Sequence, residues 1–196
     1  IGYVLGAALV MGGVFGYVNS GQQIYQDAFG ISDAAFPILF GGTAAMMSFT
    51  NLVNSRIVMR FGARRVSHIG VLVFMAVSAV QVWSSYAPPG DFYWFLPLMS
   101  VNLALLGFLG ANFGAIAMQP FSHIAGSASS VQTFFRMSGA ALVGMLIGQQ
   151  YNGTPIPFAW ALLICSSLAL LLILYSEKGR LFRRLNSGPP KERIVP

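Results

Sequence analysis

Forty-four consecutive residues, Phe92 to Phe135, carry no Asp, Glu, Lys or Arg. A helix crossing the hydrocarbon core of a bilayer needs about 20 mostly apolar residues. The run is therefore long enough for two crossings, and Gln119-Pro120-Phe121-Ser122-His123 interrupts it near the required place. The rest of the chain reads the same way. Residues 1–26 are uncharged, a second apolar stretch lies between Asp33 and Arg56, a third runs from Val66 to Tyr86, and a sixth ends at Ser176. Turn-forming residues separate them: Asp27 to Asp33, Pro88-Pro89-Gly90-Asp91, and Tyr151-Asn152-Gly153-Thr154-Pro155-Ile156-Pro157. This pattern predicts an all-α polytopic membrane protein. Residues 1–176 form a bundle of six spans, and 177–196 form a basic tail.

Composition points the same way. Charged residues make up 8% of the 196-residue chain, against about 25% in soluble domains. Too few charges exist to cover a water-facing surface, so the lipid bilayer is the solvent. The net charge of +6 comes from two clusters and not from an exposed basic face, which argues against nucleic acid. Cys165 stands alone in an apolar run, so no internal disulfide and no metal-ligand spacing exist. No metal and no cofactor are expected. The chain opens at Ile1 without a basic n-region, so the first run is not read as a signal peptide, and the beginning is expected to lie upstream.

Orientation follows from the basic residues. With six spans, all 11 Lys and Arg fall on one side, Arg136 included, and Asp27, Asp33 and Asp91 on the other. Both ends are therefore expected in the cytoplasm, the membrane being a bacterial inner membrane.

Polar side chains inside spans are costly in lipid and tend to face a bundle interior or a water-filled path. The first span carries Asn19, Gln22, Gln23 and Gln26 on one helical face, with Tyr17 and Tyr25 nearby. The second carries Ser48, Asn51 and Ser55 on one face, the fifth Ser129, Gln132 and Arg136, and the fourth Asn102 and Asn112. Spans one, two, four and five are thus expected to line a substrate pathway, with Tyr17, Asn19, Gln22, Gln23, Tyr25, Asn51, Asn112, Gln132 and Arg136 along it. Spans three and six are expected to be outer supports. Small residues repeat four apart at Gly2/Gly6, Gly12/Gly16, Gly110/Gly114 and Gly144/Gly148, a spacing that lets helix backbones approach. The basic loop between spans two and three holds Arg56, Arg60, Gly62, Arg64 and Arg65, with a glycine turn at its centre.

Arg60-Phe61-Gly62-Ala63-Arg64-Arg65 resembles the end of the cytoplasmic loop motif of the major facilitator superfamily, with Met59 at the aspartate position and the leading glycine absent. Those departures suit the degraded copy found in the C-terminal half of such proteins. Phe29-Gly30-Ile31-Ser32, Ala117-Met118-Gln119-Pro120 and His123-Ile124-Ala125-Gly126-Ser127-Ala128-Ser129-Ser130 are similar to runs of the Bcr/CflA drug-resistance subfamily. So are Gly107-x-x-x-Ala111-Asn112, Gly148 to Thr154, and Glu177-x-Gly179-Arg180-Leu181-Phe182. The resemblance implies that the six spans are helices seven to twelve of a twelve-helix antiporter. Such a protein exports drugs or small metabolites in exchange for protons, by alternating access between two halves. The missing N-terminal half, a small organic substrate and protons are the implied partners. No Asp or Glu lies inside a span, so the residues that couple protons are not expected in these 196.

Two other functions fit six spans. One is a half-size transporter that dimerises. The other is an intramembrane protease of the rhomboid type, but Ser127 lies in Ala125-Gly126-Ser127-Ala128 and not in G-x-S-G. The only histidines, His68 and His123, sit at the cytoplasmic ends of their spans. No enzyme activity is expected.

Overall fold

The computed structural model describes residues 2–86 and 92–179. The expected turn at Pro88-Pro89-Gly90-Asp91 and all but three residues of the 177–196 tail lie outside the described residues. Six long helices follow one another: α1 (Gly2–Gln23), α2 (Phe36–Phe61), α3 (Ala63–Ser85), α4 (Phe92–Met118), α5 (Ala125–Gln149) and α6 (Ile156–Ser176). Each is long and apolar enough to cross a membrane. A π-helical turn, Ile24–Ala28, extends α1, and a 3-10 turn, Gln119–Ile124, makes the expected break between α4 and α5. α2 and α6 begin with Pro37 and Pro157 in their first turns. Proline is tolerated there because the first N–H groups of a helix have no partner within it.

α1 is the hub, packing on α4, α5 and α6. α4 also receives α2 and α3, and α3 packs on α6. Around the bundle the order is therefore α5, α1, α6, α3, α4, α2, with α1 and α4 touching across the middle. α2 is the least enclosed helix: Thr43 and Asn54 are its only buried residues. α5 is next, with only Ala140, Gly144 and Ile147 buried.

The α1–α5 seam is made of glycine. A Cβ on Gly12 would fall on Val143. One on Gly16 would lie 2.8 Å from Cγ2 of Ile147, and one on Gly144 2.5 Å from Cβ of Phe15 and 3.1 Å from the Gly16 nitrogen. Lipid tails are as apolar as leucine, so helices in a bilayer associate through close packing and hydrogen bonds. The two helices run parallel, Gly139 against Ala8 near one end and Gly148 against Asn19 near the other.

The basic segment differs from its expectation. It is not a loop from Arg56 to Arg65: Arg56 and Arg60 belong to the last turns of α2, Arg64 and Arg65 to the first turn of α3, and only Gly62 stands between. Its φ of 81° and ψ of 141° turn the chain in one residue, a conformation that favours glycine. Arginine is a good helix former, and its long stem lets the charge reach water from a helical turn. Charge therefore did not end the helix; Gly62 did. Glu177, assigned to the tail by sequence, is tied into the bundle, its Oε1 lying 3.6 Å from Nη1 of Arg64.

The seam makes a direct prediction. In the intact protein, Gly144→Ala forces α1 and α5 apart and lowers stability by about 1–3 kcal/mol. Gly41→Ala, where nothing lies within 4 Å of the new Cβ, changes stability by less than about 0.5 kcal/mol. Thermal unfolding in detergent compares the two. Equal losses would contradict the close approach.

Candidate functional site

Hydroxyls in these helices mostly bond their own backbone. Ser48 donates to the Ala44 carbonyl at 3.2 Å, Thr50 to Met46 at 2.9 Å and Ser55 to Leu52 at 2.7 Å. Amides and phenols cannot all do this, and where they go sorts the nine expected pathway residues.

Three are enclosed. Tyr17 stacks on Phe40 with ring centroids 4.8 Å apart, and its hydroxyl lies 2.7 Å from Oγ1 of Thr43 and 3.3 Å from the Tyr25 hydroxyl. Tyr25 is fully buried among Phe36, Phe92 and Phe95. Asn112 faces Asn54: each side-chain amide donates to the other, at 3.0 and 3.1 Å. These groups pin α1 to α2 and α2 to α4. Ser78 donates to Asn102 at 3.1 Å and joins α3 to α4 in the same manner.

Asn19, Gln22 and Gln23 are exposed at the far end of α1. Gln22 donates to Gln26 at 3.0 Å, and Gln26 to the Asp33 carboxylate at 2.8 Å. The Gln23 carbonyl accepts the Tyr151 hydroxyl at 2.9 Å. That phenol is held above its ordinary pKa, first by burial and then by the Asp27 carboxylate.

Asn51, Gln132 and Arg136 stand around one surface of α4. Gly107, Ala111 and Gly114 share a face of that helix at spacings of four and three. Met47 and Asn51 of α2 pack on Gly107, where a Cβ would lie 2.5 Å from Cγ of Met47 and 3.1 Å from Nδ2 of Asn51. Gln132 of α5 donates to the Gly114 carbonyl at 3.1 Å. A Cβ on Gly114 would lie 3.6 Å from both Nη1 of Arg136 and Nε2 of Gln132. The cleft here has a volume of about 270 Å³ and is lined by Ala111, Gly114, Ala115 and Met118 of α4 and by Ser129, Gln132, Thr133 and Arg136 of α5. The two approaches are seven residues apart on α4, about 10 Å along the axis. Arg136 is the twelfth residue of α5, and its guanidinium reaches α4 at Gly114. A charged side chain within a span costs about 2.5–3.5 kcal/mol on insertion scales and marks a functional position by default.

Of the motif residues, Arg56, Arg60, Gly62 and Arg65 are exposed. Arg64 pairs with Glu177, which also accepts the Tyr3 hydroxyl at 2.8 Å. With that proton committed, Nε2–H of His68, 3.2 Å away, donates to the Tyr3 oxygen. The cluster joins the ends of α1, α3 and α6. Ser127 bonds its own helix at the Ile124 carbonyl, and His68 is engaged on α3. Among the described residues no group of three or more metal-ligating side chains occurs.

Thr43 and Asn54 were missed by sequence reading. They lie eleven residues apart, three helical turns, and so share a face. That face is turned some 120–140° from Ser48. The wheel displayed both polar faces but not which one looked inward.

Two curated relatives match. The chain is 23% identical to the bicyclomycin resistance protein homolog of Haemophilus influenzae over 175 residues, 87% of this chain and 43% of that protein. It is 27% identical to the uncharacterized MFS-type transporter YdgK of Bacillus subtilis over 152 residues, 76% of this chain and 37% of that protein. The chain thus spans about two fifths of the length of the relatives it matches. No family model matches, and no solved structure matches. The bundle of six helices long and apolar enough to cross a membrane thus matches part of two relatives, one named for drug resistance and one as a transporter. Its likeness is to the major facilitator superfamily, and within it to the Bcr/CflA type.

The amide pair provides a test. Asn112→Leu in the intact protein strands the buried Asn54 amide and lowers stability by about 1–3 kcal/mol. The Asn54→Leu/Asn112→Leu double variant loses less than the two single losses summed, by about 0.6 kcal/mol or more. Unfolding measurements on the four proteins give the coupling, and strict additivity would rule it out.

Proposed function

We propose that this bundle is the C-terminal half of a proton-coupled exporter of drugs or small metabolites, working by alternating access across a bacterial inner membrane with both ends of the bundle in the cytoplasm. The observation that carries it is the small-residue face of α4, set between Asn51 on α2 and Gln132 with Arg136 on α5. The helices beside this face, α2 and α5, are the least enclosed. α3 and α6, which pack on each other, contribute no residue to it. An incomplete cavity wall looks like this: a smooth floor, polar flanks and open sides awaiting a second bundle. The relatives are more than twice as long as the matched stretch, which favours a second bundle within one polypeptide over a dimer of half-size chains.

The pathway in this reading runs past Asn51, Gln132 and Arg136 and reaches Asn19, Gln22 and Gln23 at the far end. Tyr17, Tyr25 and Asn112 hold its wall in place. Proton coupling falls to the rest of the protein. Among the described residues the acids are Asp27 and Asp33, beyond α1, and Glu177, beyond α6 and already engaged.

Cysteine labelling tests the wall. In the complete protein, with Cys165 replaced by serine, cysteines at Asn51 and Gln132 react with a membrane-impermeant thiol reagent applied from the cytoplasmic side. Cysteines at Val80 of α3 and Leu171 of α6 do not. The reverse pattern would discard this wall. Substrate uptake into inverted vesicles stops when an uncoupler collapses the proton gradient; continued uptake would remove proton coupling.

A further inference from the structure

Among the described residues, no anion faces the cation in the cleft between α4 and α5. Nε of Arg136 is buried and has no hydrogen-bond partner among the described residues. No described residue forms an ion pair or hydrogen bond with its guanidinium. Asp27 and Asp33 lie at the opposite end of the bundle, and Glu177 is taken by Arg64 and Tyr3. The hydroxyls around it are also unusual. Ser127 and Ser130 are turned onto the carbonyls of Ile124 and Gly126. Ser129 and Thr133, which line the cleft, have no such bond. Gln132 spends one N–H on the Gly114 carbonyl and keeps its remaining amide hydrogen beside the guanidinium.

We infer that this cleft is a subsite for an organic anion, binding the carboxylate of a transported compound on Arg136 and resting its apolar body on α4. The inference deepens the export reading and rests on it. A guanidinium presents a planar fork of N–H groups that matches a carboxylate in two parallel hydrogen bonds. The uncommitted Gln132 hydrogen and the two free hydroxyls supply further donors at the rim. Opposite them, Ala111, Gly114 and Ala115 offer a surface without polar side chains, and Met118 adapts to varied shapes. About 270 Å³ suffices for a small aromatic or aliphatic acid. Binding is strongest for compounds that combine one negative charge with a compact apolar group.

The complete protein in phosphatidylcholine nanodiscs is titrated with 1-naphthoate and with its uncharged counterpart, 1-naphthamide. Naphthoate binds about tenfold tighter or better, a difference set by one charge-assisted contact. In Arg136→Gln the ratio falls to about one, and Arg136→Lys retains part of it because the charge stays while the fork is lost. Gly114→Leu fills the cleft and weakens naphthoate about tenfold with Arg136 intact. Its Cβ meets only the two flexible side-chain ends at 3.6 Å, so the backbone is undisturbed. Equal affinity for the two probes, a preference that survives Arg136→Gln, or unchanged naphthoate binding in Gly114→Leu overturns the inference. So does loss of naphthoate binding when phosphatidylglycerol replaces phosphatidylcholine, since a net anionic lipid headgroup is then the occupant. A carboxylate preference without proton-driven export sinks the export reading alone. Export without the preference sinks this subsite alone.

Discussion

The bundle depends on how closely α1 and α5 approach. In water, burying apolar surface drives helices together. In lipid that drive is absent, and association rests on contact and hydrogen bonds. Gly12, Gly16 and Gly144 remove the side chains that would hold the two backbones apart, so Phe15, Val143 and Ile147 pack directly against main chain. With α5 fixed to α1, and α1 also touching α4 and α6, the cleft beside Arg136 acquires its two walls. No direct α4–α5 packing of comparable extent is needed.

Polar groups do the second part of the work, and they do it in pairs. Asn54 with Asn112, Ser78 with Asn102, and Tyr17 with Thr43 each join two helices. An unpaired buried amide is costly in a low-dielectric interior, so each pair also penalises a wrong register. This divides the polar residues of the spans into two kinds. One kind is bonded between helices and fixes the bundle, although the Gln81 side-chain amide and Nδ2 of Asn102 are buried with no hydrogen-bond partner among the described residues. The other, including Arg136 and the hydroxyls of Ser129 and Thr133, is left open on the side of α2 and α5.

Much of this was legible in the sequence. Charge-free runs of the right length gave the six helices, and Gln119-Pro120 marked the break between α4 and α5. The pairs Gly12/Gly16 and Gly144/Gly148 announced a close approach, though not that they would meet one another. Two things were hidden. Helical spacing groups Ser48 with Asn51 and Thr43 with Asn54, but burial is a property of the neighbours, which periodicity does not contain. Charge density suggested a loop at Arg56 to Arg65, yet arginine at a helix end keeps its head in water while its backbone stays helical. Glu177 was read as tail because three-residue extensions of a helix have no hydropathy signature. Only the positions of Arg64 and Tyr3 reveal its place.

The one-residue corner at Gly62 has a mechanical meaning. A long connector would let α2 slide along its axis independently of α3. A single residue cannot take up slack, so displacement of the C-terminal end of α2 is passed to the first turn of α3. There Arg64 holds Glu177 at the end of α6, and Tyr3 of α1 shares the same carboxylate. The helix with the fewest neighbours in the bundle is thereby geared, through one glycine and one carboxylate, to three of the others. Any movement of α2 along its axis is therefore shared with α1, α3 and α6, as one tooth carries the rest of a gear train.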